Sequence, residues 1–235
     1  ASYPHSSNST VHQSKHVKAK VTDSEAIRKA CYRMGITPNS YFQTVVAQVL
    51  HSVTRQQRLM LATVSNGRSL AQTQNIVGMF VKTLPMVSEI APEGTTFATA
   101  AQSMHRQAIQ SMSHDFYPLT EMVERHGLRP EILYVFESGI YDNVAVSFST
   151  DTDVIVPRLD TQKLPIEVMV NTDQEDNYTI QVNYDTALYS RSSMEALAGA
   201  LTAYAAHAVQ DGILLGNIEL TTAEQREVLT ELGRG

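Results

Sequence analysis

The sequence predicts an α/β domain in which a mixed β-sheet is flanked by helices, and three observations predict it. Four segments carry apolar residues at helical spacing, each opened by a Ser or Thr at a capping position. Between them run short stretches rich in valine, isoleucine and tyrosine that read as strands and dominate after residue 130. The two kinds of element are interleaved, as a layered sheet-and-helix domain requires. With 235 residues, 43% of them hydrophobic and 18% charged, the chain can bury a sizeable core in one domain or in two small ones.

Residues 1–15 are mainly Ser, His and Asn and are expected to form a linker. His5, His12 and His16 match no metal-ligand spacing, so solvated linker is the simpler account of them. Residues 16–21 alternate Val17, Ala19 and Val21 with Lys18 and Lys20, the pattern of a half-exposed strand. Thr22 and Glu25 then match a capping box ahead of a helix with Ile27, Ala30, Cys31 and Met34 on its apolar face, closed by Gly35. On that face Cys31 is expected to be a core thiol rather than a reactive one. Thr37 and Pro38 fit the N-cap and first position of a second helix, whose buried stripe is Phe42, Val45, Val46, Val49, Leu50 and Val53. A strand over 59–64, a turn at Asn66-Gly67-Arg68 and a polar loop over 69–74 follow.

Residues 75–86 read Asn-Ile-Val-Gly-Met-Phe-Val-Lys-Thr-Leu-Pro-Met and organise the rest of the chain. This apolar run is expected to be a core strand in a sheet covered on both faces. Gly78 removes a side chain where backbone or ligand can approach, and Pro85 limits laddering to an edge or a strand end. Thr95 or Thr96 caps a long helix with Phe97, Ala101, Met104, Ala108, Ile109 and Met112 on one face, broken at residues 114–118. A short helix over 119–126 comes next, then strands over 132–136, 144–148 and 154–156. Residues 164–170 and 178–184 form a hairpin around an acidic turn. Ser190 caps a helix with Met194, Leu197, Ala198, Leu201, Tyr204, Ala205 and Ala208 inward, ended by Gly212 and Gly216. Thr221 and Glu224 start a terminal helix.

Several function classes are disfavoured. A net charge of −6 gives no electrostatic footprint for nucleic acid. No apolar run reaches membrane-spanning length and no secretory signal is recognisable, so no membrane partner and a cytoplasmic location are expected. Cys31 is the single cysteine, so no internal disulfide or zinc cage is expected, and no metal site. Gly-x-Gly-x-x-Gly, Gly-x-x-x-x-Gly-Lys-Ser/Thr, His-Glu-x-x-His and Gly-x-Ser-x-Gly are all absent. Acyl transfer to an amine needs a positioned imidazole and donors for a tetrahedral oxyanion. The imidazole candidates are His51, His105, His114, His126 and His207, and none has a companion motif. His51 and His105 are expected on helices, away from the apolar stripes. His114-Asp115 is the most suggestive polar pair, but neighbours in a turn do not readily form a carboxylate–imidazole bond, and a structural turn network is expected.

Three motifs together resemble nonribosomal peptide synthetase condensation domains. Residues 78–85, Gly-Met-Phe-Val-Lys-Thr-Leu-Pro, are similar to that family's Gly-x-Phe-Val-Asn-Thr motif. Residues 114–121, His-Asp-Phe-Tyr-Pro-Leu-Thr-Glu, are similar to its His-Gln-Asp-Tyr-Pro-Phe-Glu motif, and residues 183–189 to its Tyr-x-Thr-x-Leu-Phe segment. Gly35-Ile36-Thr37 and the Gly67-Arg68 pair fall where the family has Gly-Val-Thr and Gly-Arg. Lys82 departs from the family's Asn, Asp115 directly follows His114, the next motif is reduced to residues 125–130, and Pro165 stands where the family often has Asp.

The family's catalytic His-His-x-x-x-Asp-Gly, which belongs to its N-terminal half, is absent from these residues. The resemblance therefore implies that residues 16–220 are the C-terminal lobe of a two-lobed, chloramphenicol-acetyltransferase-like enzyme. Residues 221–235 would be a terminal helix and linker toward an adenylation domain. The whole domain would form an amide between a carrier-bound donor thioester and a carrier-bound acceptor amine. Implied partners are the N-terminal lobe, peptidyl carrier domains and a downstream adenylation domain. No directly bound cofactor is expected; the phosphopantetheine arms of the carrier domains would bring the substrates. No catalytic residue is expected in this chain. Gly78, Phe80, Lys82, Thr83, His114, Asp115, Tyr117, Pro118 and Arg129 would line the substrate channel, Arg68 and Asn75 would belong to the loop forming its floor, and the turn over 171–177 would be a latch to the other lobe. Two alternatives stay open: a noncatalytic lobe that binds a carrier or another protein, and a self-sufficient acyltransferase using His114.

Overall fold

The computed structural model describes residues 14–68, 71–73, 75–115, 117, 121, 124–125, 130–137 and 164–221. The expected strands over 144–148 and 154–156 and the terminal helix from Thr221 lie outside them, as do Pro118 and Arg129. Among the described residues six strands form one sheet: β1 (Ser14–Lys20), β2 (Arg58–Ser65), β3 (Lys82–Glu89), β4 (Ile132–Glu137), β5 (Ile166–Thr172) and β6 (Tyr178–Asp185). Their spatial order is β1-β6-β5-β4-β2-β3. The two pairs made by β4, with β2 and with β5, are parallel and the other three antiparallel, so the sheet is mixed as expected.

The helices are α1 (Ser24–Met34), α2 (Pro38–Thr54), α3 (Phe97–Ser113) and α4 (Arg191–His207). Side chains of Thr37, Thr96 and Ser190 accept backbone N–H bonds three residues on, so all three expected caps form. The first cap differs. Asp23, in the left-handed region at φ 55°, accepts from the Ala26 N–H at 3.0 Å, in place of Thr22. A carboxylate caps at least as well as a hydroxyl, and the left-handed turn brings Asp23 rather than Thr22 to the helix end. Glu25 pairs instead with Lys29, one turn on, at 2.7 Å.

Helix α2 is the centre of the core. Tyr41, Phe42, Val45, Val46, Ala47 and Val49 are buried among α1, α3, α4 and β2. The Tyr41 hydroxyl donates to the Ala205 carbonyl at 2.6 Å, tying α2 to α4, where all seven expected inward residues are buried. Two stripes end sooner than their periodicity indicates. Val53 at the end of α2 is 61% exposed, and Ile109 and Met112 on α3 are about half exposed.

Burial pushes the Cys31 thiol up to about 12, from an ordinary 9.0. The thiolate is the reactive form, so Cys31 is inert in the folded chain, as expected for a core thiol. The folded pKa lies above the unfolded one, so the unfolded chain sheds this proton first as pH rises. That part of the stability is complete below pH 9 and declines from pH 9 toward 12. Urea midpoints measured from pH 8 to 10 should therefore fall less steeply in Cys31→Ala than in the parent chain; equal slopes would mean that the thiol is not desolvated.

Candidate functional site

The largest departure from sequence expectation lies at residues 75–81, which form no strand. The strand begins at Lys82 and is, among the described residues, an edge strand with alternating burial, Leu84, Met86 and Ser88 inward. It is therefore half-buried, not covered on both faces, and Pro85 sits on an edge strand, where a missing N–H is tolerated. Ahead of it Ile76, Val77, Met79 and Val81 are exposed, Val77 completely.

A single arginine organises this loop. The Asn66 side chain accepts the Arg68 N–H at 3.0 Å, and Gly67 turns the chain at φ 64°. The Arg68 guanidinium then donates to the carbonyls of Thr73, Ile76 at 3.0 Å and Gly78 at 3.1 Å. Its carbon lies 4.6 Å from the centre of the Phe80 ring. A planar group with five donors suits this task, since one side chain reaches several carbonyls while stacking on a ring. Arg68 comes from one motif, Gly78 and Phe80 from another, and they meet here. The acceptors are backbone carbonyls, which have no side-chain signature, so no local sequence signal marks Arg68 as the clasp. Asn75 is exposed on the same loop.

A second meeting joins two of the motif departures. Lys82 opens β3 and its Nζ lies 3.4 Å from Oδ1 of Asp115, whose side chain is buried. His114 caps the end of α3 through its backbone N–H and is exposed, and the Tyr117 N–H donates to its carbonyl at 3.2 Å. Thr83 is half-buried and paired opposite Val64. Lysine where the family pattern has asparagine thus faces an aspartate displaced by one position. Lys82→Met should destabilise the chain by about 2 kcal/mol in urea unfolding, because it removes a cation that faces a buried carboxylate. The double variant with Asp115→Leu should recover at least half of that loss; strictly additive losses would mean that the two groups do not interact.

Of the five candidate imidazoles, His51 and His105 sit in structural hydrogen bonds, and His126 lies outside the described residues. His51 is buried, contrary to its expected place off the apolar stripe, because the C-terminal end of α2 packs under β3. Its Nδ1 donates to the Gln56 carbonyl at 2.7 Å and its Nε2 lies 3.1 Å from the Ser88 hydroxyl. His105 Nδ1 lies 2.9 Å from the Ser40 hydroxyl. Ser88 and Ser40 are both buried, so neither pair presents a nucleophile to an incoming thioester. Among the described residues no group of three or more His, Cys, Asp and Glu could hold a metal ion, and no helix is long and apolar enough to cross a membrane. What the region offers is a positioned loop, a buried ion pair and apolar surface.

The family model for the condensation domain matches residues 2–230. Tyrocidine synthase 3 of Brevibacillus parabrevis is 27% identical over 185 residues, which are 73% of this chain and 3% of that protein. Among solved structures, a holo four-domain nonribosomal peptide synthetase bound to AMP and glycine superposes with a TM-score of 0.78 at 18% identity, covering 92% of this chain and 18% of that one. The condensation domain of the monacolin K polyketide synthase superposes with a TM-score of 0.74 at 14% identity, covering 88% of this chain and 51% of that one. The chain thus spans a small part of the synthase it matches and about half of a condensation-domain chain. These likenesses fix the fold as chloramphenicol-acetyltransferase-like. With its motifs in family order and the family model matched over nearly its whole length, this chain belongs to the condensation-domain family of nonribosomal peptide synthetases.

Proposed function

We propose that this chain is the C-terminal lobe of a condensation domain, and that the whole domain joins a carrier-bound acyl or peptidyl thioester to a carrier-bound amine. The amine nitrogen attacks the thioester carbonyl, the new C–N bond forms an amide, and the donor arm leaves as a free thiol. The reading rests chiefly on one observation: the chain covers about half of a condensation-domain chain and lacks the His-His-x-x-x-Asp-Gly motif. The N-terminal lobe would supply that motif. The loop over residues 67–75 would form the channel floor, followed by an apolar segment over residues 76–81. Its exposed Ile76, Val77, Met79 and Val81 would lie against the other lobe, in keeping with apolar patches that mark interaction surfaces. Lys82, Thr83, His114, Asp115 and Tyr117, with Pro118 and Arg129, would line the wall. Carrier domains would present both substrates on phosphopantetheine arms, and the segment after residue 220 would lead to an adenylation domain.

The test is reconstitution. The purified chain, given a loaded donor carrier and a loaded acceptor carrier, should form no amide above the uncatalysed rate. Joined to an N-terminal lobe bearing the His-His-x-x-x-Asp-Gly motif, it should restore condensation. Turnover by the chain alone would overturn the lobe reading. Carrier binding that is indifferent to the loaded acyl group, with no gain on joining the lobes, would point to the noncatalytic alternative.

A further inference from the structure

Asn66 and Gly67 form the only Asn-Gly pair in the chain, since every other asparagine is followed by a residue with a side chain. Such a pair has a chemistry of its own. The backbone nitrogen after an asparagine can attack the side-chain amide carbon, and glycine leaves that approach open. The turn after β2 sets two further groups around the reacting atoms. The Gly67 N–H donates to Ser65 Oγ at 3.3 Å, so a hydroxyl stands where the attacking nitrogen sheds its proton. Oδ1 of Asn66 accepts the Arg68 N–H at 3.0 Å, and this is the oxygen that gains negative charge as the nitrogen attacks. The same bond folds the Asn66 amide back toward its own C-terminal peptide. Asn66 is exposed, so water reaches it.

We propose that Asn66 is a self-modification site, at which the chain deamidates and the resulting isoaspartate releases the Arg68 clasp. Ser65 Oγ passes the Gly67 proton to water as the nitrogen bonds to the Asn66 amide carbon. The bond from that carbon to Nδ2 breaks, ammonia leaves, and a cyclic succinimide remains. Water then opens the ring at either carbonyl. Opening at one gives aspartate, and opening at the other gives isoaspartate, whose main chain runs through the side-chain methylene. Water is taken up and ammonia given off, with no oxidation or reduction. The two products differ in their effect. Aspartate keeps an oxygen for the Arg68 N–H. Isoaspartate lengthens the turn, and the turn has no slack: a carbon added at Gly67 would stand 1.8 Å from the Phe80 carbonyl oxygen. Gly67 must therefore move, and it draws the Arg68 guanidinium away from the carbonyls of Thr73, Ile76 and Gly78.

The test ages the whole folded chain in mildly alkaline buffer. Isoaspartate is read by peptide mass spectrometry and by methyl transfer from S-adenosylmethionine with an isoaspartyl methyltransferase. It should accumulate at Asn66 ahead of every other asparagine, and faster than in the same chain held unfolded in urea. Ser65→Ala should slow the conversion about tenfold, less than a full general base contributes, because water replaces part of the hydroxyl's role. Proteolysis within residues 66–81 should rise with isoaspartate content and fall again once the methyltransferase has repaired the site. Freshly prepared Asn66→Asp should resist the protease like the parent chain, which separates the lengthened backbone from the added charge. Slower conversion in the folded chain than in urea, or an unchanged rate in Ser65→Ala, would overturn the proposal. Proteolysis that does not follow isoaspartate content would overturn it as well.

Discussion

Replacing Gly67 with alanine is expected to lower the unfolding free energy by about 3 kcal/mol. Two effects combine. At φ 64° an alanine adopts the left-handed conformation at a cost of about 1–2 kcal/mol. Its Cβ would also stand 1.8 Å from the Phe80 carbonyl oxygen, a backbone atom that a rotamer change cannot move. Forcing such an approach apart adds about 1–3 kcal/mol. Gly35 is the internal control, since it has φ 66° but meets nothing within 4 Å of the added carbon. Gly35→Ala should therefore cost only the conformational part, about 1 kcal/mol. The Gly67 variant should additionally be cut first by a protease within residues 66–81, because moving Phe80 removes the ring on which Arg68 rests. Equal losses in the two variants would show that Phe80 retreats freely and that Arg68 does not hold the loop shut.

The second large effect is at Phe42, for which Phe42→Ala should cost about 4 kcal/mol. The ring is fully buried and meets three others: Tyr178 at 5.0 Å edge-on, Tyr41 at 5.6 Å and Phe136 at 6.3 Å. Through these contacts α2 is joined to β4 and β6. Removing the ring loses the transfer energy, opens a cavity and ends contacts that add about 0.5–1.5 kcal/mol for each well-formed pair. Phe42→Leu keeps most of the volume and should recover more than half of the loss. Calorimetry or urea unfolding reads both. A loss below 2 kcal/mol for the alanine variant would mean that the surrounding rings close into the space.

The elements legible in the sequence were those whose signal is local. Thr37 with Pro38, Thr96 and Ser190 announce helix starts because a cap is made within three residues of itself. Tyr178, Ile180, Val182 and Tyr184 alternate with half-buried residues, and the acidic turn before them makes the hairpin readable. Residues 75–81 misled for the opposite reason. Apolar character says that a surface avoids water, not which surface covers it. Nothing near Ile76 or Gly78 in sequence says that their carbonyls are collected by an arginine upstream. The same holds for the site. Lys82 and Asp115 stood out singly as departures from a motif, and only the fold of β3 against the end of α3 turns them into a pair. His51 was misplaced because the strand that buries it, β3, follows more than thirty residues later.

The pairing of β1 with β6 has a consequence for the order of assembly. Ser14 lies opposite Asp185, and Lys20 opposite Thr179, so the first strand closes the sheet beside nearly the last. During synthesis β1 emerges early and has no partner until β6 has been made. Its ladder must wait, and pairings of such long sequence separation form slowly. Meanwhile a waiting strand is open to pairing with the wrong edge. Lys15, Lys18 and Lys20 make β1 a poor template for that. The sheet would therefore complete itself late, because its β1 edge waits for a strand made more than 150 residues later.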